Sequence, residues 1–583
     1  MISIMLLEGL LLAGLFLAVG YVLLFVDLRL SGAERLCYSF ALSTLVFGVS
    51  LMPHYGRPVN ASVLYFPLMV SLAAFLVFRK RLDFKVGWKI LLIFLLSLLI
   101  KLALLPMALQ PLSPDSVAHY LSSESFLSEN WYTTPVLGNF WSPFEKFPVP
   151  VDYRPPLFNA LVALSFALLG LGYPSAQLVS CIFGAAIIFP TYLIARELFG
   201  ERAGLSSAVL IALNPFFVGR SLEAEPRTMI VYLLLTTFYF VLKGRSYWQY
   251  FALGAGLSYL THPSSTWFLL AFALVYAVRD RSFFRRKETL FALVVFFVII
   301  SPWLVRNQLF FGSPLYSTIR YLPLMYGTEV YNSLTPPTLE SYLSHYGSGL
   351  VAWAYVVGIR AVNVITSYFP PPHKVLDYGL AWFLEYPLFG TVSPLVFAAG
   401  FLMLLRLLRR GESTLPVVIV FTSLTAPLVV GFPSSNSVSV SSLSPLIPLY
   451  TILAAAWISE RKKANALLFI LLISVVLHGV FVLSSRPSAV IDAGVMDWIR
   501  ENTRRDSLIM SVDANWISYF TGRNSIVTPF EPRDRIAGTA KKYGVNYIVV
   551  GGADLKLRDL DLEWLGQRYR QVYSSGGYYV FQV

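Results

Sequence analysis

Charge is scarce in this chain. Of its 583 residues only 13% are Asp, Glu, Lys or Arg, about half the share found in soluble proteins. With 56% hydrophobic residues and a mean hydropathy of +0.65, that scarcity excludes an ordinary soluble enzyme. Cysteine is scarcer still. Cys37 and Cys181 are the only two, both in apolar runs, so neither a disulfide framework nor a cysteine metal site is expected. The six histidines are scattered without an H-E-x-x-H spacing, so no built-in zinc site is expected. No basic region precedes the first apolar run, which is also too long for a cleavable leader.

Long apolar runs, by contrast, are abundant. They recur near 3–26, 36–52, 63–78, 88–107, 176–195, 203–219, 226–242, 247–260, 263–278, 289–305, 390–408, 415–431, 443–459 and 465–484. Runs of roughly 16 to 24 residues suit a hydrocarbon core of about 30 Å. The fold class is therefore an all-α polytopic membrane protein with about 14 transmembrane helices. Lys and Arg outnumber Asp and Glu by 45 to 32. The excess sits in short loops between runs, the signature of cytoplasmic loops rather than of a nucleic-acid partner.

The stretch 156–172 is ambiguous. If it does not cross, seven basic clusters share one side: Arg29/Arg35, Arg79–Lys85, Arg196/Arg202, Lys243/Arg245, Arg279–Lys287, Arg406–Arg410 and Arg461–Lys463. If it crosses, the first two clusters face the other five, against the positive-inside rule. It is therefore expected to lie along the outer face, its helix starting at Pro155-Pro156. Both termini, the loops 108–175 and 306–389, and the tail from about 485 are then extracytoplasmic, on a multi-pass protein of the cell membrane.

The tail, 485–583, reads as a small α/β domain. A helix is expected over 491–502, strands over 507–512, 546–550 and 577–582, and helical stretches near 533–543 and 559–568. Gly551-Gly552 follows a strand, but no G-x-G-x-x-G occurs, so a recognition or packing role is the expectation.

Ionisable groups at membrane depth mark candidate sites. Asp115 stands just beyond the 88–107 run, where it could serve chemistry or merely cap a helix starting at Ser116. Arg154, in D-Y-R-P-P-L, could hold a phosphate by paired hydrogen bonds or simply snorkel. The outer turn from Gly219 to Arg227 carries Arg220, Glu223, Glu225 and Arg227, which could neutralise one another. A carboxylate that deprotonates an acceptor, beside cations that offset charge on a departing phosphate, would suit transfer from a phosphate leaving group. His262 and Arg306 end spans on the same face, as pocket residues or interfacial anchors. His119, Tyr120, Tyr153 and Glu223 are candidate acceptor-side or pocket residues.

These features together resemble the GT-C glycosyltransferases over roughly residues 88–460. The resemblance is carried by Asp115 after a span, R-P-P-L-F at 154–158 and A-R-E-L-F-G-E-R-A-G-L at 195–205. N-P-F-F-V-G-R-S at 214–221, the acid before Pro226, and P-W-L-V-R-N followed by F-G-S-P within 302–314 add to it. The likeness is to the branch holding the protein O-mannosyltransferases and the lipid A aminoarabinose transferases. It implies an inverting, metal-independent transfer of a monosaccharide from a polyprenyl- or dolichyl-phosphate donor to a protein, lipid or glycan acceptor at the outer face. It also implies no cofactor, Asp115 as general base, Glu225 as the acid of the next outer turn in the catalytic site, and a donor phosphate contacted by Arg154. Arg220, His262 and Arg306 are further candidate phosphate-binding residues because they share that face. Residues 1–87 are then extra helices before the catalytic module at 88–484.

Departures remain. Ser116 replaces the acid often found beside the base, and S-P-L-I-P at 444–448 lacks the Arg of the late family pattern. No W-W-D-Y-G run occurs, which argues against an asparagine-linked oligosaccharyltransferase. A lipid or glycan transporter or flippase without transferase activity is the alternative, though such a protein would show midspan charges and Gly/Pro-broken repeats.

Overall fold

The computed structural model describes residues 2–583 except 28, 55, 79–86, 112, 129–131, 280–284, 326–327, 348, 352, 355–356, 359–390, 413, 431–442, 485–491 and 559. The basic cluster Arg79–Lys85, most of the rear of the 306–389 loop and the start of the tail at 485 lie outside the described residues.

Helix occupies the apolar runs. Four helices come first: Ile2–Leu23, Gly32–Leu51, Tyr65–Phe78 and Trp88–Leu104. The middle of the chain forms Arg227–Lys243, Trp248–Thr261, Ser265–Arg279 and Lys287–Phe311. The last four are Pro394–Arg409, Thr414–Val430, Leu446–Ser459 and Ala464–Ser484. Among the described residues six helices are long and apolar enough to cross a membrane, or seven if one bent pair counts as a span. That bent pair is the expected 203–219 span. It divides into Glu201–Ala212 and Pro215–Ser221 at an angle of 51°, because Pro215 cannot continue the first helix and Asn214 caps the second.

Close packing replaces the hydrophobic drive that is missing between helices in lipid. A Cβ on Gly20 would lie 2.0 Å from the Ser39 carbonyl oxygen, so the first two helices touch backbone to backbone only with glycine there. Deeper in, rings of Phe40, Phe94 and Phe189 stack, with Phe94 and Phe189 centroids 5.0 Å apart.

Three of the basic clusters meet at one end of the bundle. Lys243 Nζ lies 3.4 Å from Glu34 and 3.7 Å from Glu197, and Glu34 also closes a capping box with Ser31. The ambiguous 156–172 stretch forms a helix over Leu157–Leu169, 13 residues, or about 20 Å long, short of the roughly 30 Å core. It lies against Pro114–Glu124 and Tyr173–Ala186.

The tail is α/β, as expected, but its sheet recruits another part of the chain. Strands are β1 (Thr133–Thr134), β2 (Val136–Leu137), β3 (Val149–Pro150), β4 (Leu508–Met510), β5 (Asn524–Ile526), β6 (Tyr547–Val550), β7 (Arg570–Ser575) and β8 (Tyr578–Gln582). Six of them form one sheet in the order β2-β5-β4-β6-β8-β7. β2 belongs to the first outer loop and pairs in parallel with β5, Val136 opposite Ser525. β7 and β8 form a hairpin through Gly576-Gly577, both at positive φ, which this two-residue turn requires. Helices fall at Ala493–Asn502, Arg533–Tyr543 and Leu562–Arg568, close to expectation, with Ala514–Thr521 and Gly552–Leu557 in addition.

The second outer loop is tied to the same assembly. Asn332 donates from Nδ2 to the Gly138 carbonyl at 2.7 Å and accepts from Phe530 N–H at 3.1 Å. Both outer loops and the tail domain are thereby joined at one residue.

Candidate active site

The helix that carries Asp115 begins two residues earlier than the capping reading required. Ser113 is its N-cap, accepting from Ser116 N–H at 3.1 Å, and Pro114 is its first residue. The cap is thus supplied by Ser113, and the Asp115 carboxylate is left for other contacts. Its Oδ1 meets Arg154 Nη2 at 2.5 Å. Its Oδ2 makes no hydrogen bond among the described residues. The side chain is 55% exposed and borders a cavity of about 730 Å³.

That cavity gathers residues from every outer segment. The membrane module contributes Asp115, His119, Arg154, Glu225, Arg227 and His262. The second outer loop contributes Arg320, Tyr331 and Asn332, and the tail domain contributes Val512, Asn515 and Val527. Tyr153 and Asp152 also line it. Arg220, Glu223, Arg306 and Tyr120 do not.

Glu225 differs from Asp115 in its burial and in its hydrogen bonding. It is buried at 2% exposure. Oε1 accepts from Ser113 Oγ at 2.7 Å and Oε2 from Arg227 Nε at 2.5 Å. Burial would raise its pKa, but Arg227, Arg220 and the Ser113 hydroxyl outweigh that and hold the carboxyl well below its usual range. Arg154, opposed by burial, likewise holds Asp115 below the ordinary carboxylate range. Both carboxylates are ionised at neutral pH, and only Asp115 has an oxygen to spare.

The two histidines are neutral. Burial, then the nearby Arg154, pushes His119 down to about 3 and His262 down to about 4. His119 Nδ1 pairs with Asn159 Oδ1 at 2.7 Å. His262 Nδ1 accepts from Ser264 N–H at 3.1 Å, so its proton resides on Nε2.

The remaining candidates serve the frame. Arg220 pairs with Glu223 at 3.1 Å. Arg306 donates to the Val151 carbonyl at 2.6 Å amid the rings of Tyr132, Trp303, Phe310 and Phe311, so it holds the first outer loop against a helix. Tyr120 packs edge-on against Tyr519 of the tail domain, ring centroids 5.1 Å apart. Arg227, Asp152, Arg320, Asn139 and Asn515 line the cavity without having been singled out as site residues. Arg227 had a signal, two residues from Glu225. Asp152 and Asn139 stand in the first loop, Arg320 in a short 3-10 helix (Thr318–Leu324) and Asn515 in the helix Ala514–Thr521, where no spacing marks them.

Among the described residues no three His, Cys, Asp or Glu side chains converge to hold a metal ion. The cation facing Asp115 is the Arg154 guanidinium.

Residues 153–305 match the family model described as dolichyl-phosphate-mannose-protein mannosyltransferase, a segment that contains Arg154, Glu225, Arg227 and His262. Over 112 residues, 18% of the chain, the protein is 31% identical to the dolichyl-monophosphooligosaccharide–protein glycotransferase AglB of Haloferax volcanii. It spans only about a tenth of that relative's length (10%). Crystal structures of the Archaeoglobus fulgidus oligosaccharyltransferase are similar at 16% identity, covering 85% of this chain and 74% of theirs. TM-scores are 0.50 for the apo form and 0.51 for the form tethered to an acceptor peptide. ArnT of Cupriavidus metallidurans is similar over 85% of this chain and 98% of its own, at 16% identity and a TM-score of 0.42. The fold is like that of the Archaeoglobus fulgidus oligosaccharyltransferase, and residues 153–305 match the mannosyltransferase family model.

Proposed function

We propose that this protein transfers a sugar from a polyprenyl- or dolichyl-phosphate lipid to an acceptor at the extracytoplasmic face, with inversion, and with Asp115 as the base. The observation that carries this reading is the free oxygen of Asp115, exposed to a cavity beside Arg154. An acceptor hydroxyl loses its proton to Asp115 Oδ2 as its oxygen bonds to the anomeric carbon. The bond from that carbon to the phosphate oxygen breaks on the opposite face, and its electron pair leaves with the phosphate. The configuration inverts. Proton removal of this kind is worth about 10²–10⁴-fold.

Arg154 and Arg227 are the cations that would offset charge on the departing phosphate. The neutral His262 would add an Nε2–H donor, and neither step asks for a divalent metal. A phosphate-linked donor is supported by the description of the family matched over residues 153–305. The asparagine-linked acceptor of the similar oligosaccharyltransferases is not part of the proposal, since no W-W-D-Y-G run is present.

Purified protein incubated with polyprenyl phosphomannose or polyprenyl phosphoglucose tests it. Release of polyprenyl phosphate with a glycoside of inverted configuration is expected. Retained configuration would exclude Asp115 as a simple base, and failure to consume any phosphate-linked donor would favour a transporter.

A further inference from the structure

Three residues that border the cavity carry buried polar atoms that the fold leaves unused. Asn139 Nδ2, Asp152 Oδ2 and Arg154 Nη1 are buried and make no hydrogen bond. All three residues belong to the first outer loop, and all three border the cavity. Tyr331 stands near Asn139 and Ser142 near Asp152, but neither reaches hydrogen-bond geometry with the unused atom. Buried polar groups are nearly always paired, so three orphans bordering one cavity call for a partner that is not protein.

Each side chain is half committed. Asn139 Oδ1 accepts from Trp141 N–H at 2.8 Å, fixing the amide plane. Asp152 Oδ1 accepts from Thr318 Oγ1 of the second outer loop at 3.4 Å. Arg154 Nη2 is held by Asp115. One end of each group therefore anchors the loop, and the other end is a positioned donor, acceptor and donor respectively. Asn139 and Asp152 are each only 5% exposed, so their orientation is set by packing rather than by solvent.

We infer that Asn139 and Asp152 form the subsite that receives the hydroxyls of the transferred sugar, adjoining Arg154 at the phosphate end. A sugar hydroxyl both donates and accepts, so it can satisfy a carboxylate oxygen and an amide N–H side by side. A lipid tail or an apolar side chain would leave both unpaired. Asp152 is two residues from Arg154, so a donor with phosphate at Arg154 brings its first sugar to this subsite. The subsite rests on the reading of Asp115 and Arg154 given above, but binding can be measured without turnover.

The test compares two probes on the full chain in detergent: bare polyprenyl phosphate, and polyprenyl phosphate bearing mannose or glucose. Wild-type protein should bind one of the sugar-bearing lipids more tightly than the bare lipid. Asp152→Asn and Asn139→Ala should each weaken that lipid by about tenfold, the scale of one lost hydrogen bond. Affinity for the bare lipid should stay unchanged, which also shows that the variants are folded. Arg154→Ala should weaken both probes. Equal effects of Asp152→Asn on the two probes, or none on either, would overturn the subsite. So would a wild-type protein that does not distinguish them. If the sugar-bearing lipid binds as described but is never turned over, the subsite stands and the transferase reading falls.

Discussion

Arg154 Nη2 lies 2.5 Å from Asp115 Oδ1, joining two residues 39 apart in sequence across the mouth of the cavity. The contact makes one side chain answerable for two properties. Arg154 places a positive charge where a phosphate would sit, and it sets the proton affinity of the proposed base.

Arg154→Ala should therefore do more than weaken donor binding by about 1.5–3 kcal/mol, the range for hydrogen bonds to charged groups. The guanidinium holds Asp115 below its ordinary range, so its loss should raise that pKa. The acid limb of the kcat/KM profile should move upward with it, while Arg154→Lys moves it less. Unchanged donor affinity together with an unmoved acid limb would remove both roles.

Asp152 should impose its own pH dependence. Burial, opposed by Arg306 and Thr318, pushes its carboxyl up to about 7. Donor affinity should rise with pH through about 7, as the carboxylate replaces the neutral acid and accepts more strongly. The stability contribution runs the other way. The folded chain binds this proton more tightly than the unfolded chain between the ordinary carboxylate range and 7, so stability falls as pH rises across that window. Asp152→Asn should flatten both curves. The buried, neutral His119 and His262 give no inflection near 6.5, so a curve that persists in the Asp152→Asn variant would point to some other group.

The clustering at Lys243 predicts which surfaces share a compartment. Cys37 and Cys181 are buried, so single cysteines placed at Glu197, Lys462 and Asp506 can be read against a low background. Glu197→Cys and Lys462→Cys should label from the cytoplasmic side and Asp506→Cys only from outside. Labelling of all three from one side would break the topology.

Much of this was legible in the chain because apolar length and basic loops report directly on a membrane. The order of the apolar helices followed from those two signals, although among the described residues only six, or seven with the bent pair, are long and apolar enough to cross a membrane. Asp115, Arg154, Glu225 and His262, expected on one face, border one cavity. Other features carried no local signature. β5 is three residues, Asn524–Ile526, too short for an alternating pattern, and β2 is two residues in a loop with no apolar periodicity. Their pairing is decided by tertiary contact. The same holds for Asn139 and Asp152, whose significance lies in what they fail to bond. Arg306 looked like a pocket cation because it ends a span, but four aromatic rings and a backbone carbonyl absorb it. Glu225 and Asp115 could not be ranked from sequence either, since the ranking depends on Ser113 and Arg227 closing around one of them.

That ranking is the centre of the account, and one comparison tests it. Asp115→Asn and Glu225→Gln should be assayed side by side for sugar transfer from the polyprenyl-phosphate donor, with donor binding measured on the same preparations. Asp115→Asn keeps size and most hydrogen bonding while removing basicity. It should lower kcat by at least about 10²-fold with donor binding largely intact. Glu225→Gln should instead act on the frame, because it removes the charge that Arg227 pairs with, and should disturb donor binding and stability before turnover. Full transfer by Asp115→Asn, with turnover lost only in Glu225→Gln, would contradict the assignment of the base.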